Sequence, residues 1–269
     1  IGEILTERSG ILNLGVEGLM LMGAVTGYLV AYRTGNLALA VIVGMLGAGF
    51  GSLIYAILTI TFRTKQDVTG LALTIFGTGF ANTLGKSVAG TMTPDSIRQF
   101  GQASPLQPNL AGVESWPVIG PVLTFISTAF LQHNLFVYLS YLLALLMALY
   151  LFKTRQGLHV RCTGENPASA DASGIRVIAI RYIHVIAGGM LCGLGGVYIS
   201  VINVGTWLDD IVAGRGWIVV ALVIFIRWHP LKAMAGSLLF GALEIIGFRL
   251  QQIPALAGLP IFSQYIIDM

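Results

Sequence analysis

Four long stretches without a charged residue constrain the fold of this chain more than any motif does. They are Leu37–Phe62, Val68–Gly85, Leu135–Phe152 and Tyr182–Leu208. Each is long enough for a helix to cross a membrane, which takes about 18 to 20 apolar residues. Only 10% of the 269 residues are charged and the mean hydropathy is +0.82, whereas a soluble domain has about 25% charged residues. The chain is therefore predicted to be an integral membrane protein.

The length of these runs also selects the fold class. A transmembrane β-barrel has segments of about ten residues with alternating polarity, and the runs here are longer and uniformly apolar. Backbone hydrogen bonds must then be satisfied inside helices, so we predict an all-α, polytopic transmembrane helical bundle surrounded by lipid. The net charge of +3 is spread thinly along the chain, which argues against nucleic acid as a partner.

Basic residues predict the orientation in the membrane. The segment 153–181 has more basic than acidic residues and is predicted to be a cytoplasmic loop; its basic residues are Lys153, Arg155, Arg161, Arg176 and Arg181. The segment 85–134 is rich in Pro, Gly, Ser and Gln and is predicted to be an extracytoplasmic loop with short interfacial helices. The chain starts without Met and stops within an apolar segment, so we expect both ends to be truncated.

One apolar segment is too short to cross a membrane. After Arg215 in the outer segment GTWLDDIVAGRGW, only residues 216–226 are free of charge before RWHPLK begins. We expect a half-length or tilted helix here, interrupted at Pro230 and resumed over residues 231–248, and such interrupted helices line transport pathways.

A weak internal repeat suggests two related halves. The segment GLMLMGAVTGY at 18–28 aligns with residues 188–198 at a constant offset. A true duplication and a shared need for small packing residues both explain it. Pairs of glycine at four-residue spacing also predict close helix packing; they are Gly23 and Gly27, Gly47 and Gly51, and Gly189 and Gly193.

The sequence offers no residues for catalysis or for metal binding. GTGFANTLGKS resembles a phosphate-binding loop, but five residues separate Gly79 from Gly85 where the motif requires four. There is no nucleophile beside a base and no pair of His or Cys at metal-binding spacing. We expect a protein that is not an enzyme and that binds no cofactor or metal.

The cytoplasmic loop contains the strongest local signal. In CTGENPASADASGIRV, residues 162–177, Asn166 can cap a helix, Pro167 suits its first position and Gly174 suits its end. So short a helix is marginal in water, so its own protein or another subunit must hold it. A partner docking on it and a helix that only covers the membrane interface are the two interpretations.

Glu17 is an acid at the start of an apolar run and needs a partner, because an ionisable group in a membrane is costly. It shares a helix face with Asn13, and either Arg8 or an unpaired helix N-terminus can stabilise it. We interpret it as a structural carboxylate; direct contact with a solute or a gate is the alternative.

Polar and aromatic side chains within the apolar spans are candidates for a solute path. Asn13, Thr74 and Asn82 offer hydrogen bonds to a neutral polar solute, and Phe76 and Trp217 offer stacking surfaces. Each of them is also compatible with simple helix packing.

Three stretches carry a family resemblance. In order along the chain, they are GEILTERSGILNLGVEGLMLMGA (2–24), GLHVRCTGENPASADASGIRV (157–177) and GRGWIVVALVIFIRWHPLKAMAGSLLFGALE (214–244). Together they resemble the permease subunits of ABC importers for simple sugars and nucleosides, within the larger family that includes branched-chain amino acid permeases. The resemblance runs through nearly the whole chain, which implies a single transmembrane permease domain over residues 1–269.

The resemblance also implies partners and roles. They are a second related permease subunit, cytoplasmic ATP-binding subunits that use the ATP, and an extracytoplasmic solute-binding protein, in a bacterial-type plasma membrane. It further implies that the short cytoplasmic helix is a coupling helix that sits in a cleft of the ATPase. The residues assigned to this contact are Gly164, Glu165, Asn166, Pro167, Ala168, Ala170, Asp171 and Gly174.

Two alternatives remain at this point. One is a branched-chain amino acid permease of the same ABC class. The other is a secondary transporter driven by an ion gradient, with Glu17 and Glu244 as the ion carriers. A docking helix argues against the second, and the scarcity of charge in the spans favours a neutral solute such as a nucleoside or a simple sugar.

Overall fold

The computed structural model describes residues 1–103 and 133–251, and these ranges are almost entirely helical. A single antiparallel bridge, between Met92 and Thr206, is the only β pairing within them. The helices are α1 (Gly2–Arg8), α2 (Val16–Thr34), α3 (Leu37–Ala56), α4 (Gln66–Gly85), α5 (Asp95–Gln102), α6 (Leu135–Lys153), α7 (Arg155–Glu165), α8 (Pro167–Ala172), α9 (Val177–Val197), α10 (Arg215–Phe225) and α11 (Pro230–Gln251).

Several of these helices are long enough to span a membrane, which confirms the predicted fold class. The segments Leu37–Thr61, Leu135–Lys153 and Val177–Val204 are both long and strongly apolar. The first and third include wider π-helical turns, Ile57–Thr61 and Tyr198–Val204, that continue α3 and α9. Helices α2 and α4, of 19 and 20 residues, are of comparable length. The charge-free runs of the sequence thus correspond to helices.

Helices α2, α3 and α9 form the centre of the bundle. They approach closely because glycines face one another: a Cβ atom at Gly23 would overlap the backbone of Gly193, and one at Gly196 would overlap that of Met20. Small residues allow this close contact between membrane helices, so the predicted packing role of these glycines is confirmed. The two segments of the weak repeat meet here, and their origin by duplication stays a prediction.

The same contacts give the directions of the helices. Leu19 of α2 lies beside Gly189 of α9. Eight residues farther along both helices, Gly27 lies beside Val197, so α2 and α9 run in parallel. Helix α1 runs the opposite way along α9. Its first residue, Gly2, faces Gly188, whereas its carboxyl end reaches α7. Helix α1 therefore ends on the side of the basic loop 153–181.

Helix α10 is the predicted half-length helix. It has 11 residues, about 16 Å at 1.5 Å per residue, which is roughly half the hydrocarbon core of a membrane. The chain then turns at 226–229, and Pro230 is the first residue of α11. At this turn Arg227 and Trp228 adopt positive φ angles of 57° and 55°. The break therefore lies at these two residues, and one residue, His229, separates them from the proline.

The opposite end of the bundle is closed by pairing between two loops. Thr93 N donates to Gly205 O at 2.9 Å, and Gly90 N donates to Trp207 O at 3.1 Å. Trp207, next to this pairing, is 1% exposed and packs on Tyr28, with the ring centres 5.6 Å apart. Within the predicted loop 85–134, residues 104–132 lie outside the described residues, as do residues 252–269 at the carboxyl end.

The central glycine contacts lead to the first testable prediction. We expect Gly196→Ala to destabilise the bundle by about 1 to 3 kcal/mol, the usual cost of overpacking, because the added methyl group meets the backbone of Met20 and Ala24. The matched control is Gly79→Ala, where nothing lies within 4 Å of the added methyl group. The thermal unfolding midpoint in detergent measures both. Equal midpoints for the two variants would contradict the packing argument.

Candidate functional site

The cytoplasmic loop folds into two consecutive helices, α7 and α8. The side chain of Asn166 accepts a hydrogen bond from Ser169 N at 3.1 Å and caps α8. Pro167 is its first residue, and Gly174, with a φ angle of 80°, follows its end. The predicted short helix is therefore present with the expected cap and end. Gly164 and Glu165 lie outside it, in the last turn of α7.

The side chains of α8 divide into an exposed and a buried set. Pro167, Ala168 and Asp171 are exposed and border a groove of about 490 Å³ that also includes Arg63 and Arg181. Ala170 is only 3% exposed and packs inward. The surface that α8 offers to a partner is therefore made by Ala168 and its exposed neighbours, and Ala170 holds the helix to its own chain.

Backbone contact joins this loop to α1. A Cβ atom at Gly164 would overlap Arg8 O and would lie 3.2 Å from Gly10 N. No side chain therefore separates the end of α7 from the end of α1. Local sequence patterns could not predict this contact, because the two segments are far apart along the chain.

Glu17 lies at the start of α2 and is 5% exposed. Its two carboxylate oxygens accept hydrogen bonds from Gly214 N at 2.9 Å and from Gly216 N at 2.6 Å. These two N–H groups belong to the start of α10, where a helix has free donors and a partial positive charge. A helix N-terminus is thus the geometric partner of Glu17.

Arg8, the other partner considered for Glu17, bonds elsewhere. Its guanidinium donates to Trp228 O at 3.4 Å and to Arg227 O at 3.5 Å. On the preceding residue, Glu7 accepts a hydrogen bond from Trp228 Nε1. These contacts fix the end of α1 to the turn that follows α10.

A buried polar cluster surrounds α1. Glu3 is fully buried and accepts a hydrogen bond from Asn13 Nδ2 at 3.1 Å, and Asn13 Oδ1 accepts one from Gly15 N at 3.0 Å. Sequence reasoning missed Glu3, which is buried, and Glu7, which is partly buried. Their spacing of four residues, which places both on one helix face, was the available signal.

The five candidate path residues occupy different environments. Asn13 is 1% exposed within the cluster around Glu3. Thr74 donates to Leu14 O at 3.2 Å and lies two helical turns from Asn82 on α4. Phe76 and Trp217 are both exposed.

Only part of this set shares a surface. Thr74, Thr78 and Asn82 recur every four residues along α4 and form a polar stripe on one face. Asn82 Oδ1 is buried and has no hydrogen-bond partner within the described ranges. Phe76 lies on a neighbouring face, where its ring stacks on Phe80 with centres 6.2 Å apart. The structure therefore brings Thr74 and Asn82 onto one face, whereas the amide of Asn13 donates its hydrogen bond to Glu3.

A cavity of about 590 Å³ lies between α1, α6, α9, α10 and α11, and none of the five candidates lines it. Its polar lining comes from Ser140, Asn203, Arg215 and Ser237. Sequence reasoning did not select these residues. Each of them is an isolated polar position that only the folded bundle brings close to the others.

Comparison with known proteins identifies the family of this chain. Residues 1–265 match the family described as "Branched-chain amino acid transport system / permease component". A putative glucose ABC transporter permease of Haloferax volcanii is 34% identical over 94% of this chain and 73% of its own length. No solved structure gives a significant match.

Two further relatives are named for nucleosides. A guanosine ABC transporter permease of Bacillus subtilis is 34% identical over 92% of this chain and 77% of its own length. A nucleoside ABC transporter permease of Lactococcus lactis is 33% identical over 97% of this chain and 80% of its own length. The resemblance seen in the sequence is confirmed by these matches.

The contact between Glu17 and α10 generates the second prediction. We expect Glu17→Leu to lower the free energy of unfolding by at least about 3 kcal/mol, because it removes two hydrogen bonds to a charged group that are worth about 1.5 to 3 kcal/mol each. Glu17→Gln keeps one acceptor oxygen and should lose about half as much. The exposed Asp95→Leu is the control, and thermal unfolding in detergent is the measurement. A Leu variant as stable as the control would show that Glu17 does not hold α10.

Proposed function

Because the chain belongs to the family of permease components of branched-chain amino acid transport systems, we propose that it carries a nucleoside across the membrane as part of an ATP-driven importer. The observation that carries this proposal is the similarity over more than nine tenths of the chain to two nucleoside permeases. A simple sugar is the second candidate solute, since a relative of similar identity is named for glucose. In either case the chain is an integral membrane transport subunit.

The energy for transport is proposed to come from partner subunits. ABC permeases work with ATP-binding and solute-binding proteins, and a second related permease subunit is proposed to complete the pathway. This chain is proposed to bind no cofactor or metal and to have no ATPase site of its own. The phosphate-loop spacing fails at Gly79, and α4 has Phe80 where the motif would require glycine.

Helix α8 is proposed to be the coupling helix. It is capped by Asn166, and its exposed side chains are small or short: Pro167, Ala168 and Asp171. A helix with such a surface fits closely into a cleft of another subunit. Gly164 and Glu165 lie in the last turn of α7, where they would support α8 without belonging to it. Gly174 would mark the end of the contact surface.

The solute path is proposed to follow α4 and α10. Thr74 and Asn82 offer a polar stripe, and the free Oδ1 of Asn82 suits a hydroxyl or amide donor of the solute. Phe76 and Trp217 are exposed aromatic rings on the same two helices and suit stacking on a base. Asn13 is proposed to support α1 through Glu3, and Glu17 is proposed to be a structural carboxylate.

The third prediction tests the coupling helix. We expect Ala168→Trp to reduce uptake at least about tenfold, because a large ring in a close contact costs more than about 1.4 kcal/mol. Its side chain is exposed, so the permease itself should stay folded. The matched control is Gln156→Trp, also exposed, at the start of α7. Normal uptake and normal binding of the ATPase by the Ala168 variant would place the contact elsewhere.

The fourth prediction tests the solute and the energy source. In vesicles with the complete transporter, unlabelled nucleoside should compete with labelled uridine, whereas ribose should compete weakly and leucine should not compete. A proton ionophore at constant ATP should leave uptake unchanged, because no titrating carboxylate is needed when ATP supplies the energy.

Each alternative gives a different result in this assay. Uptake of labelled leucine without uptake of labelled uridine would identify a branched-chain amino acid permease, and uptake of labelled ribose or glucose without uptake of labelled uridine would identify a sugar permease. Loss of uptake with the ionophore would identify an ion-driven carrier. In that case Glu17 and Glu244 are the carboxylates to test for ion transport.

A further inference from the structure

Helix α10 is held at both ends by one short stretch of chain, residues 7–17. At its start, Gly214 N and Gly216 N donate to the carboxylate of Glu17. Beyond its end, Trp228 Nε1 donates to Glu7, and Arg8 donates to carbonyl oxygens of the turn.

The turn after α10 has an unusual backbone. Arg227 and Trp228 both have left-handed φ angles, 57° and 55°, a conformation that residues other than glycine adopt only where surrounding contacts hold them. The carbonyl oxygens of these two residues are the ones that accept from Arg8. The contacts from α1 therefore hold the turn in a shape that it would not adopt alone.

The same end of α1 touches the support of the coupling helix. Gly164, two residues before the cap of α8, lies against the backbone of Arg8 and Gly10. Backbone against backbone leaves no side chain that could change rotamer and absorb a displacement. A movement of α8 would therefore displace Arg8, which is one of the residues that hold the turn.

We propose that Glu7, Arg8 and Trp228 form an elbow latch, which passes the movement of α8 to α10 and so couples ATP use to opening of the solute path. These are positioning residues, because they are proposed to act through the position of α10 and not on the solute itself. The inference rests on the proposed function, namely that α8 docks on an ATPase. It assigns to these three side chains a role in coupling in addition to stability.

The hydrogen bond between Glu7 and Trp228 gives the sharpest test. Trp228→Phe removes the N–H donor and keeps a ring, and Glu7→Leu removes the acceptor. Glu7→Gln keeps an oxygen acceptor and serves as the conservative variant. Trp207→Phe is the matched control, since it also removes an indole N–H, one without a hydrogen-bond partner in the described part of the chain.

The measurement is the number of solute molecules taken up per ATP hydrolysed, in vesicles with the complete transporter and with equal amounts of assembled complex. We expect Trp228→Phe and Glu7→Leu each to lower this ratio about tenfold, the effect of losing one hydrogen bond to a charged group. The double variant should have the same ratio as either single variant, because both changes remove the same hydrogen bond. Glu7→Gln and Trp207→Phe should keep the wild-type ratio, and stimulation of ATP hydrolysis by the solute-binding protein should fall only in the first two variants.

A purely structural role predicts another pattern. The variants would then yield less assembled complex, while each remaining complex kept the wild-type ratio and the wild-type stimulation; that result would overturn the elbow latch and leave the proposed function intact. If the wild-type transporter itself showed no ATP-driven uptake, the proposed function would fail, and the elbow latch with it.

Discussion

The free N–H groups at the start of α10 are the constraint on which much of this structure depends. They lie inside an apolar bundle, where an unsatisfied backbone donor costs several kcal/mol. Glu17 satisfies two of them with one carboxylate, and the partial positive charge of the helix end stabilises the carboxylate in return. Neither group would be tolerated there without the other. The half-length helix and the acid in the first span are therefore two parts of one arrangement.

The bundle combines a tightly packed centre with segments joined by polar contacts. Helices α2, α3 and α9 meet through glycines, and the backbone of the facing helix leaves no room for an added methyl group at Gly196. Helix α10 also approaches α2 through one glycine, Gly216, but its two ends are held by side-chain hydrogen bonds of Glu7, Arg8 and Glu17. Hydrogen bonds can exchange partners more easily than a packed core can deform. A change of shape during transport is thus expected at α10 and not in the three central helices.

The sequence predicted the elements whose signals are local and left out those that depend on distant residues. The spans followed from charge-free runs, α8 from the order of Asn166, Pro167 and Gly174, and the half-length α10 from the charges on either side of it. Glu17 was expected to find a helix N-terminus, but the sequence did not say that α10 provides it. The contact of Gly164 with Arg8 and the inward position of Ala170 were out of reach, because both depend on how separate helices pack.

The shortness of α10 has a consequence for the way the chain enters the membrane. A segment of 11 residues, about 16 Å long, is too short to insert across a bilayer as an independent span. Its acceptor, Glu17, lies 197 residues before Gly214, so the first spans must already be in place when α10 arrives. Helix α10 is therefore expected to leave the insertion machinery together with α11, as a helical hairpin. It would reach its final depth only by docking on α2. Insertion of α10 would then depend on the same contact that holds the mature protein together.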